Sequence, residues 1–429
     1  MIYRRRHLMM TAAALGLAAR TGFAAGLSGR LRDLDSDEFQ ALIQFIYEQA
    51  DPFAPPLIDT EEALKADGID PGMARWQQED GDLVTPAWPI FAESPDTAHL
   101  GRDTSPSVQF ELSGADLRRF AEANAFSLEG PFRVLLGLRG CRLANGDGYV
   151  ERAERVALQL VNPDHQRFNC LIGIWWLRDD RISLYRASTV PHALFTLEFD
   201  RHGGDGCNLL PTGLHHFDLG CHRCGSAGEL PRVPVQRAGG YPSVLRSKSN
   251  AQGYVLPKGT EDIVRWERRI GVPGDNIHCS YNRQGFAFAS AGGQVVHGDF
   301  TGGSHQGLWG LFYQASGLGQ AGRGAVYEYI LAGAAELSVL ANDEDFAAGY
   351  KALRFGSQGA AVAALQRQLM NAPSHEQTRA WYETTFEREL TNRRFVDGLF
   401  GRTTQMALIF EQAAAGMLAS GLTLLPRAS

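Results

Sequence analysis

The sequence predicts an α+β multidomain chain, with a mostly β central domain followed by a small all-α module at the C-terminal end. Three observations carry that prediction. At 429 residues the chain is long enough for two or three domains. From Phe132 onward, apolar runs of strand length (FRVLLGLRGC, RVALQLV, CLIGIWWL, RISLYRAST, ALFTLEF) are broken by Gly, Asn, Asp and Pro. From about Tyr350 the apolar spacing changes to the 3.6-residue period of a helix.

Taken in order, residues 1–25 read as an export signal. Arg4, Arg5 and Arg6 precede the apolar run MTAAALGLAA, which is too short to span a bilayer, and GFAAG supplies small residues for cleavage. Arg5-Arg6-x-Leu8-Met9 resembles a twin-arginine signal, the kind that exports folded proteins. The expected location is periplasmic or cell-wall associated, with no integral membrane span after cleavage. The net charge of −7 is spread along the chain, which argues against nucleic acid as a partner.

Residues 26–104 form a helical and irregular N-terminal region. SDEFQALIQFIYEQA predicts a helix capped by Ser36, and the Pro-, Asp- and Gly-rich stretch after it predicts extended chain. Residues 105–340 form the β-rich central domain. It opens with a second capped helix, Ser113 to Asn124, and closes with a predicted helix over GAVYEYILAGAAELSVLA, residues 324–341. Cys141, Cys170, Cys207, Cys221, Cys224 and Cys279 all fall in this domain. An even cysteine count in an exported chain predicts disulfides, and spacing alone does not choose among the pairings.

Residues 350–429 carry the most specific pattern. In LRFGSQGAAVAALQRQLM, Gly356 and Gly359 bracket a turn, and Val362, Leu365 and Leu369 share a helix face. In FVDGLFGRTTQMALIFEQ, Asp397-Gly398 makes a tight turn, Phe400 anchors the loop, and Thr404 starts a helix bearing Ala407 and Phe410. These residues resemble the three-helix peptidoglycan-binding domain over about 70 residues. Glu411-Gln412 replaces a single glutamine of that pattern, and the spacer from Met370 to Arg394 is longer than usual. The resemblance implies binding of muropeptides between the helix-start loops, with Gly356, Asp397, Gly398, Phe400 and Thr404 as the binding set. Most of those positions also read as turn and packing residues.

The central domain holds a second pattern. RISLYRASTVPH ends a predicted strand at Thr189-Val190-Pro191, and NIHCSYNRQGFAFASAGGQVVHG follows from Asn276. In order, these resemble the L,D-transpeptidase catalytic domain, a β-sandwich in which a histidine base precedes a Ser-His-Gly-Cys turn. A thiolate beside an imidazole is what acyl transfer from a stem peptide requires. His278 falls at the base, and Ser290 and Gly292 match the turn. Ala291 replaces the second histidine and Gly293 replaces the nucleophile. Strand neighbours face opposite ways, so Cys279 is expected in a disulfide or in the core rather than paired with His278.

GLHHFDLGCHRC gathers His215, His216, Asp218, Cys221, His222 and Cys224, but one Cys-x-x-Cys falls short of a full zinc set. ANGDGYVE around Asp147 lacks the alternating carboxylates of a calcium loop and reads as a turn. No cofactor and no metal are expected. The functional expectation is an exported wall protein that binds peptidoglycan through its C-terminal module, with a central domain that has lost its thiol nucleophile. The catalytic candidates are His278 and Ser290. The alternative is an active peptidoglycan hydrolase using His278 with a non-cysteine partner or a metal.

Overall fold

A computed structural model describes residues 94–101, 107–128, 132–165, 167–192, 209–222, 230–236, 249–250, 253–254, 276–280, 288, 290, 292–301, 304–321 and 325–426. The export signal, the helix expected at Ser36, and Cys207, Cys224 and Ala291 lie outside these residues.

The described chain contains both helices and strands in an α+β arrangement. The strands are β1 (Gln109–Ser113), β2 (Arg133–Arg139), β3 (Cys141–Leu143), β4 (Tyr149–Ala153), β5 (Arg155–Leu160), β6 (Cys170–Trp176), β7 (Arg181–Ser188), β8 (Gly213–His222), β9 (Leu230–Gln236), β10 (Ser249–Asn250), β11 (Gly253–Tyr254), β12 (Ile277–Cys279), β13 (Gln294–Val296), β14 (Asp299–Thr301), β15 (Ser304–Gln306), β16 (Val326–Gly333), β17 (Ala352–Leu353) and β18 (Thr423–Leu424). The helices are α1 (Gly114–Ala123), α2 (Gly307–Ala315), α3 (Ala334–Asn342), α4 (Glu344–Gly349), α5 (Ala360–Met370), α6 (His375–Phe386), α7 (Asn392–Phe395) and α8 (Arg402–Ala414).

A nine-stranded mixed sheet runs in the order β12-β13-β7-β6-β2-β16-β8-β9, with β4 added beside β7. Its central strands are buried on both faces, which is why they read as unbroken apolar runs rather than alternating ones. One face packs against the three-stranded sheet β1-β5-β3 with α1 and α3, through Leu112, Leu117, Phe120, Leu136, Leu158, Trp175 and Leu337. The other packs against α2 through Ile172, Tyr185, Phe217, Trp309 and Phe312.

Helix α1 starts where its sequence signal places it. Ser113 Oγ accepts from Asp116 N while Asp116 Oδ2 accepts from Ser113 N, a reciprocal capping box.

The helix expected over residues 324–341 is corrected. Val326–Gly333 is instead the strand β16, parallel to β2 and antiparallel to β8, and only Ala334–Asn342 is helical. VYEYILAG is rich in aromatic and β-branched residues, and its burial between two strands decides against a helix.

Of the two places expected for Cys279, a disulfide or the core, the structure shows the core. Cys141, Cys170 and Cys279 carry buried thiols, and Cys279 packs in the core with Trp309 and Phe312. Among the described residues no helix is long and apolar enough to cross a membrane.

The C-terminal helices are fastened to the sheet rather than tethered to it. Val190 and Leu209, from the chain beside the sheet, are buried in one cluster with Leu365, Phe395, Phe400 and Phe410. Arg354 is fully buried and bonds Glu336 on α3 through NH1 (3.0 Å) and NH2 (2.5 Å), Tyr350 Oη (3.0 Å) and Thr212 Oγ1 (3.1 Å). Ser357 Oγ donates to Asn124 O at 2.6 Å, and Gln358 N donates to Ala125 O at 2.8 Å. Gly356 has φ of 91°, and a Cβ there would stand 2.5 Å from Leu214 O. Only glycine permits both that backbone and that approach.

Candidate functional site

His278 lies on the short strand β12, which pairs in parallel with β13 so that His278 stands opposite Val295. Alternation sends His278 and Cys279 to opposite faces. Cys279 enters the core, while the imidazole turns to the face where the chain arrives from Gly292 and Gly293.

His278 Nδ1 donates to Cys279 O at 2.6 Å. A neutral ring that gives its Nδ1 proton away carries its lone pair on Nε2. Nε2 is the atom nearest Gly293: a Cβ built on that glycine would stand 2.8 Å from Nε2, 3.2 Å from Cδ2 and 3.2 Å from Asn276 O. The position that the sequence pattern aligns with a nucleophilic cysteine is therefore the one that touches the candidate base.

The turn before Gly293 is held on three sides. Ser290 Oγ donates to Gly293 O (2.7 Å) and accepts from Gly292 N (3.1 Å). Ser290 O accepts from His192 N at 2.8 Å. Gln294 Nε2 donates to Gly292 O (3.1 Å), and Gln294 Oε1 accepts from Tyr329 Oη (3.0 Å). Tyr329 crosses Gly137 to get there: a Cβ on Gly137 would stand 1.9 Å from its hydroxyl. Ser290 is buried, and its hydroxyl closes the turn rather than facing His278. Sequence reading picked out His278, Ser290 and Gly292. It missed Gln294, Tyr329 and Gly137, whose roles depend on strands that are distant in sequence.

Beside this turn, β7 ends at Ser188 and Thr189 leads into Pro191, the strand-to-turn step expected from the sequence. Buried Arg139 fixes it, donating to Thr189 O (3.1 Å), Thr189 Oγ1 (3.3 Å), Leu210 O (2.7 Å) and Asp96 Oδ2 (3.0 Å). His165 Nδ1 donates to Pro191 O at 2.8 Å, and burial holds this imidazole down at about 4. His215 is engaged structurally. Its Nε2 donates to Pro211 O (2.9 Å), its ring stacks on Phe355 at 5.0 Å, and burial holds it down at about 3. Asp147 sits in an exposed turn closed by Asn145 Nδ2 at 2.6 Å.

In the C-terminal helices the five expected binding residues fall into two groups. Phe400 and Thr404 are buried, and Gly356 is pressed onto Leu214. Asp397 is exposed and Gly398 half-buried, on the loop that also exposes Leu399. Gln366 organises that loop from below. Its Nε2 donates to Asp397 Oδ1 (2.8 Å), Thr404 Oγ1 (2.9 Å) and Leu399 O (3.1 Å), and its Oε1 accepts from Gly398 N (2.8 Å). Gly359 N donates to Gly398 O at 2.8 Å, so the two helix-start loops are joined directly. The longer spacer forms α6 and α7, which with the chain between them line a polar hollow of about 720 Å³.

Set against known proteins, the chain matches no family model, no curated protein sequence and no solved structure.

Proposed function

We propose that this chain is an exported cell-wall protein that binds peptidoglycan and holds stem peptides in its central domain without cleaving or joining them. The observation that carries the reading is the contact between His278 Nε2 and the Cβ position of residue 293. Acyl transfer by an L,D-transpeptidase-like site needs a base and a thiol within reach of each other. Here the His278 imidazole stands next to position 293, and the residue at that position is glycine, which carries no thiol. Ser290 does not take over the thiol's part, because its proton is committed to Gly293 O. The resemblance of residues 350–429 to a peptidoglycan-binding domain supplies the wall attachment, with the Asp397–Leu399 loop as the accessible part of the binding set.

Deleting the C-terminal segment would strip Arg354 from buried Glu336, so the test uses the full chain with point substitutions. Purified sacculi should retain the parent protein and release Asp397→Ala or Leu399→Asp. Digests of the same sacculi should show no new muropeptides. New muropeptides made by the parent but not by His278→Ala would replace this reading with hydrolysis. Equal retention of all three proteins would remove the wall-binding assignment.

A further inference from the structure

The chain between α5 and α8 builds a concave surface of its own. Along α6, His375, Arg379 and Glu383 recur every fourth residue, so they share one face, with roughly 6 Å of helix axis between neighbours. Glu387 ends the helix in the left-handed conformation, at φ of 50°, and the chain then returns through Glu389 to Arg393. The two limbs line the hollow of about 720 Å³. Connectivity fixes one end of it: Glu389 follows the turn closely and lies toward the Glu383 end of α6. A ring contact fixes the other: His375 meets Phe395 at 5.4 Å, which brings Asn392 and Arg393 toward His375 and Arg379.

The floor is fixed and the rim is charged. Leu390 and Phe395 are buried in one cluster with Trp381 and Tyr382, and Arg394 NH1 braces the returning chain by donating to Glu389 O at 2.7 Å. On the rim, Arg379 pairs with Glu376 of its own helix. Glu383 is half-buried, and Glu389 and Arg393 are exposed. Among the described residues none of these three has an ion-pair partner, whereas the surface arginines Arg118, Arg152, Arg155 and Arg181 each meet a carboxylate. His375 Nδ1 is buried and also lacks a hydrogen-bond partner. The hollow therefore presents cationic groups at one end and carboxylates at the other, and the fold itself leaves most of them unused.

We propose that this hollow binds a small zwitterion of dipeptide length, its carboxylate held by Arg379 and Arg393 and its ammonium by Glu383 and Glu389. A guanidinium takes a carboxylate in two parallel charge-assisted bonds, and two carboxylates suit the three donors of an ammonium. Two residues of extended chain span roughly 7 Å, close to the axial step of roughly 6 Å from Arg379 to Glu383. A ligand of one charge fits less well: an anion would face Glu383 and Glu389, and a cation would face Arg379 and Arg393. The site is separate from the Asp397–Leu399 loop and stands whether or not that loop meets the wall.

The probes are L-alanyl-L-alanine and its two singly charged derivatives, the N-acetyl dipeptide and the dipeptide amide, titrated into the full chain at low salt. The ring resonance of His375, assigned with His375→Gln, reports binding at the hollow. Burial holds that imidazole below its ordinary value, so above neutral pH its shift reports contact rather than protonation. The parent should bind the dipeptide and shift the resonance. Each derivative should bind the parent about tenfold more weakly or worse, the scale of one lost charge-assisted bond. Arg393→Met should weaken the dipeptide and the N-acetyl dipeptide and leave the amide as it was. Glu383→Gln should weaken the dipeptide and the amide and leave the N-acetyl dipeptide as it was. A folding defect would weaken all three ligands alike and lower the unfolding midpoint, so the crossed pattern is specific to the two ends of the hollow. Derivatives that bind the parent as well as the dipeptide does overturn the zwitterion site, as do folded variants without the crossed pattern. A His375 resonance unmoved by the dipeptide at millimolar concentration overturns it too.

Discussion

His278 Nε2 stands 2.8 Å from the point where a Cβ on residue 293 would lie, closer than a methyl group and a ring nitrogen approach without displacement. Gly293→Ala should therefore destabilise the chain by about 1–3 kcal/mol, the usual cost of overfilling a packed site. Removing the ring should relieve it. In a double-mutant cycle with His278→Ala, urea denaturation should give a coupling energy of at least about 0.5 kcal/mol in the relieving direction. Strictly additive costs would mean that the two positions do not meet.

The same contact makes a prediction about chemistry. Gly293→Cys places a thiol beside an imidazole whose Nδ1 proton is committed to Cys279 O. A histidine neighbour lowers a thiol's pKa and raises its thiolate fraction. Iodoacetamide should label this cysteine faster at pH 7 than the one in Gly293→Cys with His278→Ala. Equal rates would place the imidazole out of reach. Parent protein under the same conditions gives the background from the chain's own six cysteines, of which Cys141, Cys170 and Cys279 are buried.

Stability should begin to fall just below neutral pH. Burial holds His215 at about 3 and His165 at about 4, so both are neutral in the folded chain, whereas the unfolded chain takes up these protons near pH 6.5. The unfolded state then binds more protons throughout that window, so stability is full above about pH 6.5 and drains as pH falls toward the folded values. Two such groups cost roughly 4 kcal/mol between pH 7 and pH 5. Urea midpoints should track this, and His215→Phe should flatten the slope by about 1.4 kcal/mol per pH unit whatever its absolute cost. An unchanged slope would show that His215 is not the group responsible.

Glu336 acts in a lower window. Burial alone would raise its pKa, but the charge of Arg354, with His99 at 3.6 Å, outweighs that and holds it at about 2. Its folded value is depressed, so its contribution is present above about pH 4.3 and lost as pH falls from there toward 2, roughly 3 kcal/mol in all. Glu336→Gln should cost about 3–5 kcal/mol at pH 7, because it leaves the Arg354 charge buried without a counter-ion. Glu336→Leu combined with Arg354→Met should cost less than either change alone. If the double change costs the sum of the singles, the pair is not the clamp between sheet and C-terminal helices.

Parts of this structure were readable from local sequence because local chemistry fixes them. Ser113 and Asp116 cap α1 within three residues of each other, and the runs at Arg133–Arg139, Cys170–Trp176 and Arg181–Ser188 are the right length and composition for buried strands. Val326–Gly333 misled because its apolar residues fill both faces, and its identity as a strand depends on β2 and β8 on either side. The pairing of His278 with residue 293 was visible as motif order. The contact of the Arg186 guanidinium with the His297 ring was not, since it joins positions 111 apart in sequence through strand register. Arg354 likewise reads as a loop arginine until Glu336 is placed beneath it.

The loop proposed to meet the wall, Asp397–Leu399, is held from below by one side chain. Gln366 is buried, and its amide serves Asp397, Gly398, Leu399 and Thr404 at once, so no single residue of that loop is held independently. Gln366→Leu keeps the approximate volume but strands the Gly398 N–H and removes one of the two bonds on Asp397 Oδ1, while Leu399 O keeps Gly401 N and Thr404 Oγ1. A lost buried partner costs about 1–3 kcal/mol. The unfolding midpoint should drop accordingly, and retention on sacculi should fall well below that of the parent at a temperature where both are folded. Asp397→Asn offers the contrast: its amide oxygen still accepts from Gln366 Nε2 and Leu399 N, so stability should change by less than about 1 kcal/mol. Whatever retention Asp397→Asn loses then measures the carboxylate's own contact with the wall. Full retention by Gln366→Leu at that temperature would mean that the wall is gripped elsewhere on the molecule.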